Sequence, residues 1–179
     1  MPDIIPKVMS RRKTIDFMIS PFGTLVRLIT RNFERDYTIT TNHIEGQLWL
    51  WNRQTKLGVA FNSSSGFKLP NGADRSPDAS WVKLERWQTL TPKEQEGFAP
   101  LCPDFVVELR SKSDNMEPLR EKMREYIANG ARLGWLIDRK NQKVETYRQN
   151  QDVEILDHPR TLSGGDVLPG FVLDLTDIG

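Results

Sequence analysis

The chain has 179 residues, 37% hydrophobic and 27% charged, with a formal net charge of +1. That length suits one domain whose core needs no covalent staples, and the near-neutral balance excludes a molecule that gathers polyanions by bulk charge, so a nucleic-acid site would have to rest on local charge or bound metal. The single cysteine, Cys102, excludes an internal disulfide and a thiolate zinc site, His43 and His158 form no HExxH pair, and no apolar run approaches the roughly 20 residues of a membrane helix.

Residues 1–21 carry Pro2, Pro6, Pro21 and the basic cluster Arg11, Arg12 and Lys13. They are expected to form a loosely ordered arm, and residues 22–179 a single domain. The apolar stretch after the basic cluster is broken by Ser20, Pro21 and Gly23, so it does not read as a signal peptide, and the cytoplasm is the default address. "TLVRLIT" and "DYTITT" are rich in β-branched residues and predict strands. Ile44, Leu48 and Trp51 fall at helical spacing and predict a helix over 42–54. Short strands are expected at Leu57–Phe61 and Gly66–Leu69, joined by the turn Asn62–Ser65, with a further turn at "PNGAD". A strand follows Pro77 in "SPDASWVKL". Thr91, Pro92 and Glu94 mark the start of a short helix.

Asp104–Arg110 reads as a strand. "MEPLREKMREYIANG" predicts a helix with Met116, Leu119, Met123, Tyr126 and Ile127 on one face and a C-cap at Asn129 and Gly130. "LGWLID" reads as a buried strand, "KVETYR" as a half-exposed alternating one, and the tail as loop with short strand pieces. A strand–helix–strand unit over 104–138 predicts parallel pairing of its two strands. The class is α/β, a central mixed sheet flanked by helices.

Alternation along the strand places Phe105, Val107 and Leu109 on one face, taken as the core. Asp104, Val106, Glu108 and Arg110 point the other way, as a polar row. Asp78 opens the preceding strand. If the two strands are neighbours, Asp78 and Glu108 converge into a hard-oxygen site suited to Mg²⁺ (or Mn²⁺), an ion that takes one or two carboxylates together with substrate phosphate. Lys122 lies on the flank of the long helix, beside Leu119 and Tyr126, where its stem can lie on apolar surface and its ammonium can reach Glu108. Glu121 and Glu125 are expected to be solvated, and Arg120 to lie on the opposite flank.

Pro-Asp on one strand, followed by an apolar-apolar-Glu strand, resembles the PD-(D/E)xK nuclease superfamily. "SPDASWV", "CPDFVVELRSKSD", "EKMREYIANGARLGWLID" and "DVLPGFVLDL" together resemble one branch of it, the Uma-two restriction endonuclease family, over about residues 45–176. The resemblance implies a restriction-endonuclease-like core and a Mg²⁺-dependent cut in DNA, with Asp78 and Glu108 as metal-binding acids and Lys122 in the place of the strand lysine. Arg110 stands two residues after Glu108 where the superfamily puts lysine. Arginine is not a base, so it is assigned to phosphate or DNA contact. The family's first-helix glutamate position aligns with His43, and Glu45 two residues later is the candidate third acid. Residues 1–44 lack the family's opening hairpin. Cutting both strands needs two sites, which makes a homodimer an expectation by analogy.

Residue by residue, plainer readings stand beside these. Glu108 can be a structural ion pair with Arg110 or Lys122, Asp78 a turn residue at a strand entry, and Lys122 a solvated helix lysine. Trp51, Trp81 and Trp135 read as core, Trp49 as core or as a surface for stacking bases, and Tyr126 as core with its hydroxyl at the edge. Two other functions compete with the nuclease: a DNA-binding or interaction protein that keeps the fold without turnover, and a hydrolase of small phosphoesters.

Overall fold

The computed structural model describes residues 35–176 and, before them, the backbone of two short strands. In chain order the elements are β1 (Phe17–Ile19), β2 (Leu25–Arg27), α1 (Arg35–Thr55), β3 (Gly58–Asn62), β4 (Phe67–Lys68), β5 (Asp74–Arg75), β6 (Ala79–Lys83), α2 (Leu84–Trp87), α3 (Pro92–Gln95), β7 (Phe105–Leu109), α4 (Met116–Ala128), β8 (Leu133–Asp138), β9 (Lys143–Arg148), β10 (Glu154–Asp157), β11 (Thr161–Ser163) and β12 (Val172–Asp174). The chain divides into two compact units, Met1–Phe33, which holds the antiparallel pair β1–β2, and Glu34–Gly179, which holds the rest. The arm expected over residues 1–21 lies, apart from β1, outside the described residues.

A six-stranded mixed sheet in the order β10-β9-β8-β7-β6-β3 forms the centre of the second unit. β7 and β8 pair in parallel across α4, as the strand–helix–strand reading predicts; the other ladders are antiparallel. One face packs Phe105, Val107 and Leu109 with Trp135 and Ile137 against Ile44, Leu48 and Trp51 of α1 and against Leu168, Phe171 and Leu173 of the tail. The other face packs Val82, Val106, Leu136 and Tyr147 against Met123 and Tyr126 of α4.

Three expectations are corrected here. "DYTITT" is not a strand but the first turns of α1. Tyr37, Thr40, Thr41, Ile44, Leu48 and Trp51 recur at helical spacing, and all but the half-buried Tyr37 are buried, so a 3.6-residue stripe overrides β-branched propensity. Thr41 Oγ1 donates to the Tyr37 carbonyl at 2.9 Å, which satisfies the hydroxyl inside the helix. "KVETYR" is not half-exposed, because α4 covers the face that alternation assigns to solvent, and Val144 to Tyr147 are all buried. The supposed polar row on β7 is likewise the floor of a second apolar core, and Glu108 is only 2% exposed.

Local chemistry explains the joints. The Thr91 hydroxyl accepts from the Glu94 amide, and the Glu94 carboxylate accepts from the Thr91 amide, a reciprocal cap that starts α3. Asn115 Oδ1 accepts from the Glu117 amide at 3.4 Å to start α4, and Gly130, with φ +111°, ends it. A side chain at Gly58 would meet the Trp81 ring at 2.3 Å, so glycine is needed where β3 crosses that indole. Gln47 clamps α1 to β12 from both ends of its amide, with Nε2 donating to the Asp174 carbonyl and Oε1 accepting from the Asp174 amide.

Candidate active site

β6 and β7 are neighbours, and their ladder pairs Ala79 with Val107. Asp78 is the residue before Ala79 and Glu108 the residue after Val107, so the two acids leave the ladder side by side. Asp78 is anchored by its own backbone: its amide donates to the Val107 carbonyl at 3.0 Å, and its Oδ2 accepts from the Leu109 amide at 2.7 Å. Its 1% exposure is tolerable because the carboxylate is hydrogen-bonded. Ser76 stitches the approach: its hydroxyl lies 2.8 Å from the carbonyls of both Ser63 and Ser65, fixing the turn after β3 against the entry to β6.

Glu108 is held from α4. Lys122 Nζ stands 2.6 Å from Glu108 Oε1, and the Tyr126 hydroxyl donates to the same oxygen at 3.1 Å. The ammonium also lies 5.9 Å from the centre of the Tyr126 ring. Burial, followed by the charge of Glu108, pushes the Tyr126 phenol well above its ordinary range, so it remains a donor. The sequence reading placed that hydroxyl at an edge and missed its partner. The available signal was spacing: Lys122 and Tyr126 are four residues apart on α4 and therefore share one face.

Glu45 enters from α1. Its Oε1 accepts from the Ser63 amide at 3.3 Å. Its carboxyl is raised above the usual range, chiefly by burial; the Ser63 amide opposes the rise and the charge of Asp78 adds to it. Glu45 and Asp78 thus feel each other. Arg110 points elsewhere: its Nη1 donates to Asp138 Oδ2 at 2.8 Å and its Nε to the Asp114 carbonyl at 3.3 Å. Glu125, expected in solvent, accepts from Arg75 Nε at 2.5 Å and from Asn71 Nδ2 at 2.9 Å, tying the turn before β5 to α4. Arg120, on the opposite flank, grips the buried Glu145 through Nε and Nη2.

The donor set suits a hard cation that needs one or two carboxylates and keeps its waters. Asp78 and Glu108 are adjacent acids, and Ser80 Oγ, two residues along β6 from Asp78, is buried without a hydrogen-bond partner among the described residues. It does not suit an ion that demands a full protein cage, because no group of three His, Cys, Asp or Glu side chains among the described residues is placed to hold a metal.

The fold is a mixed α/β one, with adjacent carboxylates at neighbouring strand ends and a lysine from the crossover helix beside them. A solved structure shares the fold: a protein described as a putative nuclease of the DUF820 family from Anabaena variabilis superposes with a TM-score of 0.70 at 19% identity, covering 87% of this chain and 86% of that one. The sequence model of the family described as "Uma2: Putative restriction endonuclease" matches residues 36–176, and the chain belongs to that family. Among curated proteins, none matches.

Proposed function

We propose that the protein is a divalent-metal-dependent endonuclease that hydrolyses phosphodiester bonds in DNA. The observation that carries this is the juxtaposition of Asp78 and Glu108 at neighbouring strand ends, with Lys122 on Glu108, in a chain of this family. Asp78 and Glu108 would hold Mg²⁺ or Mn²⁺ with water and substrate phosphate, while Glu45, which accepts from the Ser63 amide, is not placed with them in a three-ligand cluster among the described residues. When bound, such an ion neutralises charge on the phosphate and acidifies water. Lys122 has two parts. At 2.6 Å it fixes the Glu108 carboxylate in one orientation, and it places a positive charge where the phosphate becomes more negative during attack. Tyr126 holds the same oxygen from inside the core. Arg110, turned to Asp138 and the Asp114 carbonyl and away from the acids, would contact phosphate only outside the Asp78–Glu108 pair.

The test is cleavage of a supercoiled plasmid with Mg²⁺ or Mn²⁺. The parent is expected to nick or linearise it, and Asp78→Ala, Glu108→Ala and Lys122→Ala each to lose activity by about a hundredfold or more, the scale of removing a group that stabilises the transition state. Linear product without an open-circle intermediate would indicate paired sites, as in a homodimer. No cleavage by the folded parent with either metal sinks the proposal.

One observation favours a second reading. Lys122 pairs with Glu108 Oε1 directly, and no three-ligand cluster is preassembled among the described residues. A chain that keeps the fold to bind DNA without cutting it would look the same. It predicts DNA binding unaffected by metal and no cleavage.

A further inference from the structure

A cavity of about 470 Å³ lies between α1 and β3, lined by Asn42, Glu45, Gly46, Trp49, Phe61 and Asn62 among others. Glu45 lines it and accepts from the Ser63 amide, and the Ser63 carbonyl in turn accepts from the Ser76 hydroxyl, two residues before Asp78. Its outer wall is the Trp49 indole, 54% exposed although tryptophan gains more from burial than almost any other side chain. Gly46 in its lining is exposed, and a Cβ built there meets nothing within 4 Å. The Arg53 guanidinium sits 5.2 Å from the centre of the Trp49 ring and is exposed. An uncovered aromatic surface with a cation on it, next to a polar amide pair, has the components that proteins use to stack a base and hold the phosphate beside it.

We propose that this cavity takes a nucleobase of the DNA strand whose backbone reaches Asp78 and Glu108, with the base stacking on the Trp49 indole and Arg53 contacting the neighbouring phosphate. The identity of the polymer rests on the nuclease reading; the stacking site rests on the cavity. Asn42 offers a donor and an acceptor to a base edge, and Asn62 its Nδ2 donor, since its Oδ1 already accepts from the Ser64 amide and the Ser65 hydroxyl. A base that enters has to leave its own stack, so unpaired or frayed DNA is preferred over intact duplex.

The experiment titrates the full-length protein, in EDTA to prevent turnover, into a single-stranded oligonucleotide carrying 2-aminopurine, whose emission falls on stacking. The parent is expected to quench it. Trp49→Ala, which removes the platform, and Gly46→Leu, which puts a bulky side chain among the lining residues, are expected to abolish the quench and weaken binding about tenfold or more, and Trp49→Phe to retain part of both. Unchanged circular dichroism and melting temperature show that the exposed Trp49 and open Gly46 positions tolerate the changes. If the folded Trp49→Ala and Gly46→Leu variants bind and quench like the parent, or if the parent does not bind the oligonucleotide, the subsite is overturned, whether or not the protein cuts plasmid. Trp49-dependent binding with no cleavage in Mg²⁺ or Mn²⁺ keeps the subsite and removes the nuclease reading alone.

Discussion

Glu108 is 2% exposed, on a strand whose every residue is buried, and a buried charge survives only with partners. Its partners are Lys122 at 2.6 Å and Tyr126 at 3.1 Å. Removing the lysine leaves Glu108 charged, or forces it to protonate beside Asp78. Lys122→Met is therefore expected to lower stability by about 2–4 kcal/mol, at or below the usual range for breaking a buried pair because Lys122 itself keeps some solvent. Adding Glu108→Gln to it should recover most of the loss, since the uncompensated charge disappears. Urea unfolding of the parent, both single variants and the double variant measures this. Additive losses would mean that the two side chains do not act as a pair. Cys102 belongs to the same core: burial pushes its thiol up to about 12, and its Sγ–H donates to the Tyr126 carbonyl at 3.4 Å, so it is structural.

At the scale of elements, α4 is fastened to the sheet at both flanks, by Lys122 to β7 and by Arg120 to β9. Glu145 is the β9 end of the second fastening. Burial would raise its carboxyl, but the Arg120 guanidinium and the Tyr147 hydroxyl, which donates at 2.7 Å, outweigh this and hold it below the ordinary 4.5. A folded-state value below the unfolded one contributes stability that is complete above the unfolded value and vanishes as pH falls through the folded one. The melting temperature of the parent should exceed that of Glu145→Gln by a constant margin from pH 7 down to about 5, and the margin should close below 4.5. A margin that persists at pH 3 would assign the loss to packing and not to charge. Such fastenings explain why some elements were legible in the sequence and others were not. The α4 stripe, its Asn129–Gly130 cap and the Lys122 flank follow from spacing alone. The burial of β9 does not, because it depends on α4 lying over it, and the start of α1 is masked by the β-branched residues Thr38, Ile39, Thr40 and Thr41, whose local propensity competes with the helical stripe.

For the molecule as a whole, the two acids were legible because each sits at the end of a short strand next to a proline or a long apolar run, and alternation then sets their direction. Which partners they meet was only half legible, since Arg110 and Lys122 were both within plausible reach of Glu108 and only the packing of β8 turns Arg110 toward Asp138. The family match begins at residue 36, and the compact unit that holds the sheet begins at Glu34. Both apolar clusters, the six-stranded sheet, Asp78, Glu108, Lys122 and the Trp49 cavity lie within that unit. Its two cores are closed by its own segments, α1 and the tail on one face and α4 on the other. A fragment spanning residues 34–179 is thus expected to fold cooperatively, with a single thermal transition within a few degrees of that of the full chain, because a change of about 1 kcal/mol moves the midpoint by only about 2–8 °C in domains of this size range. Circular dichroism melting of the two proteins side by side measures it. A fragment that is molten, or that melts without cooperativity, would show that residues 1–33 complete a core that the sheet and its helices leave open.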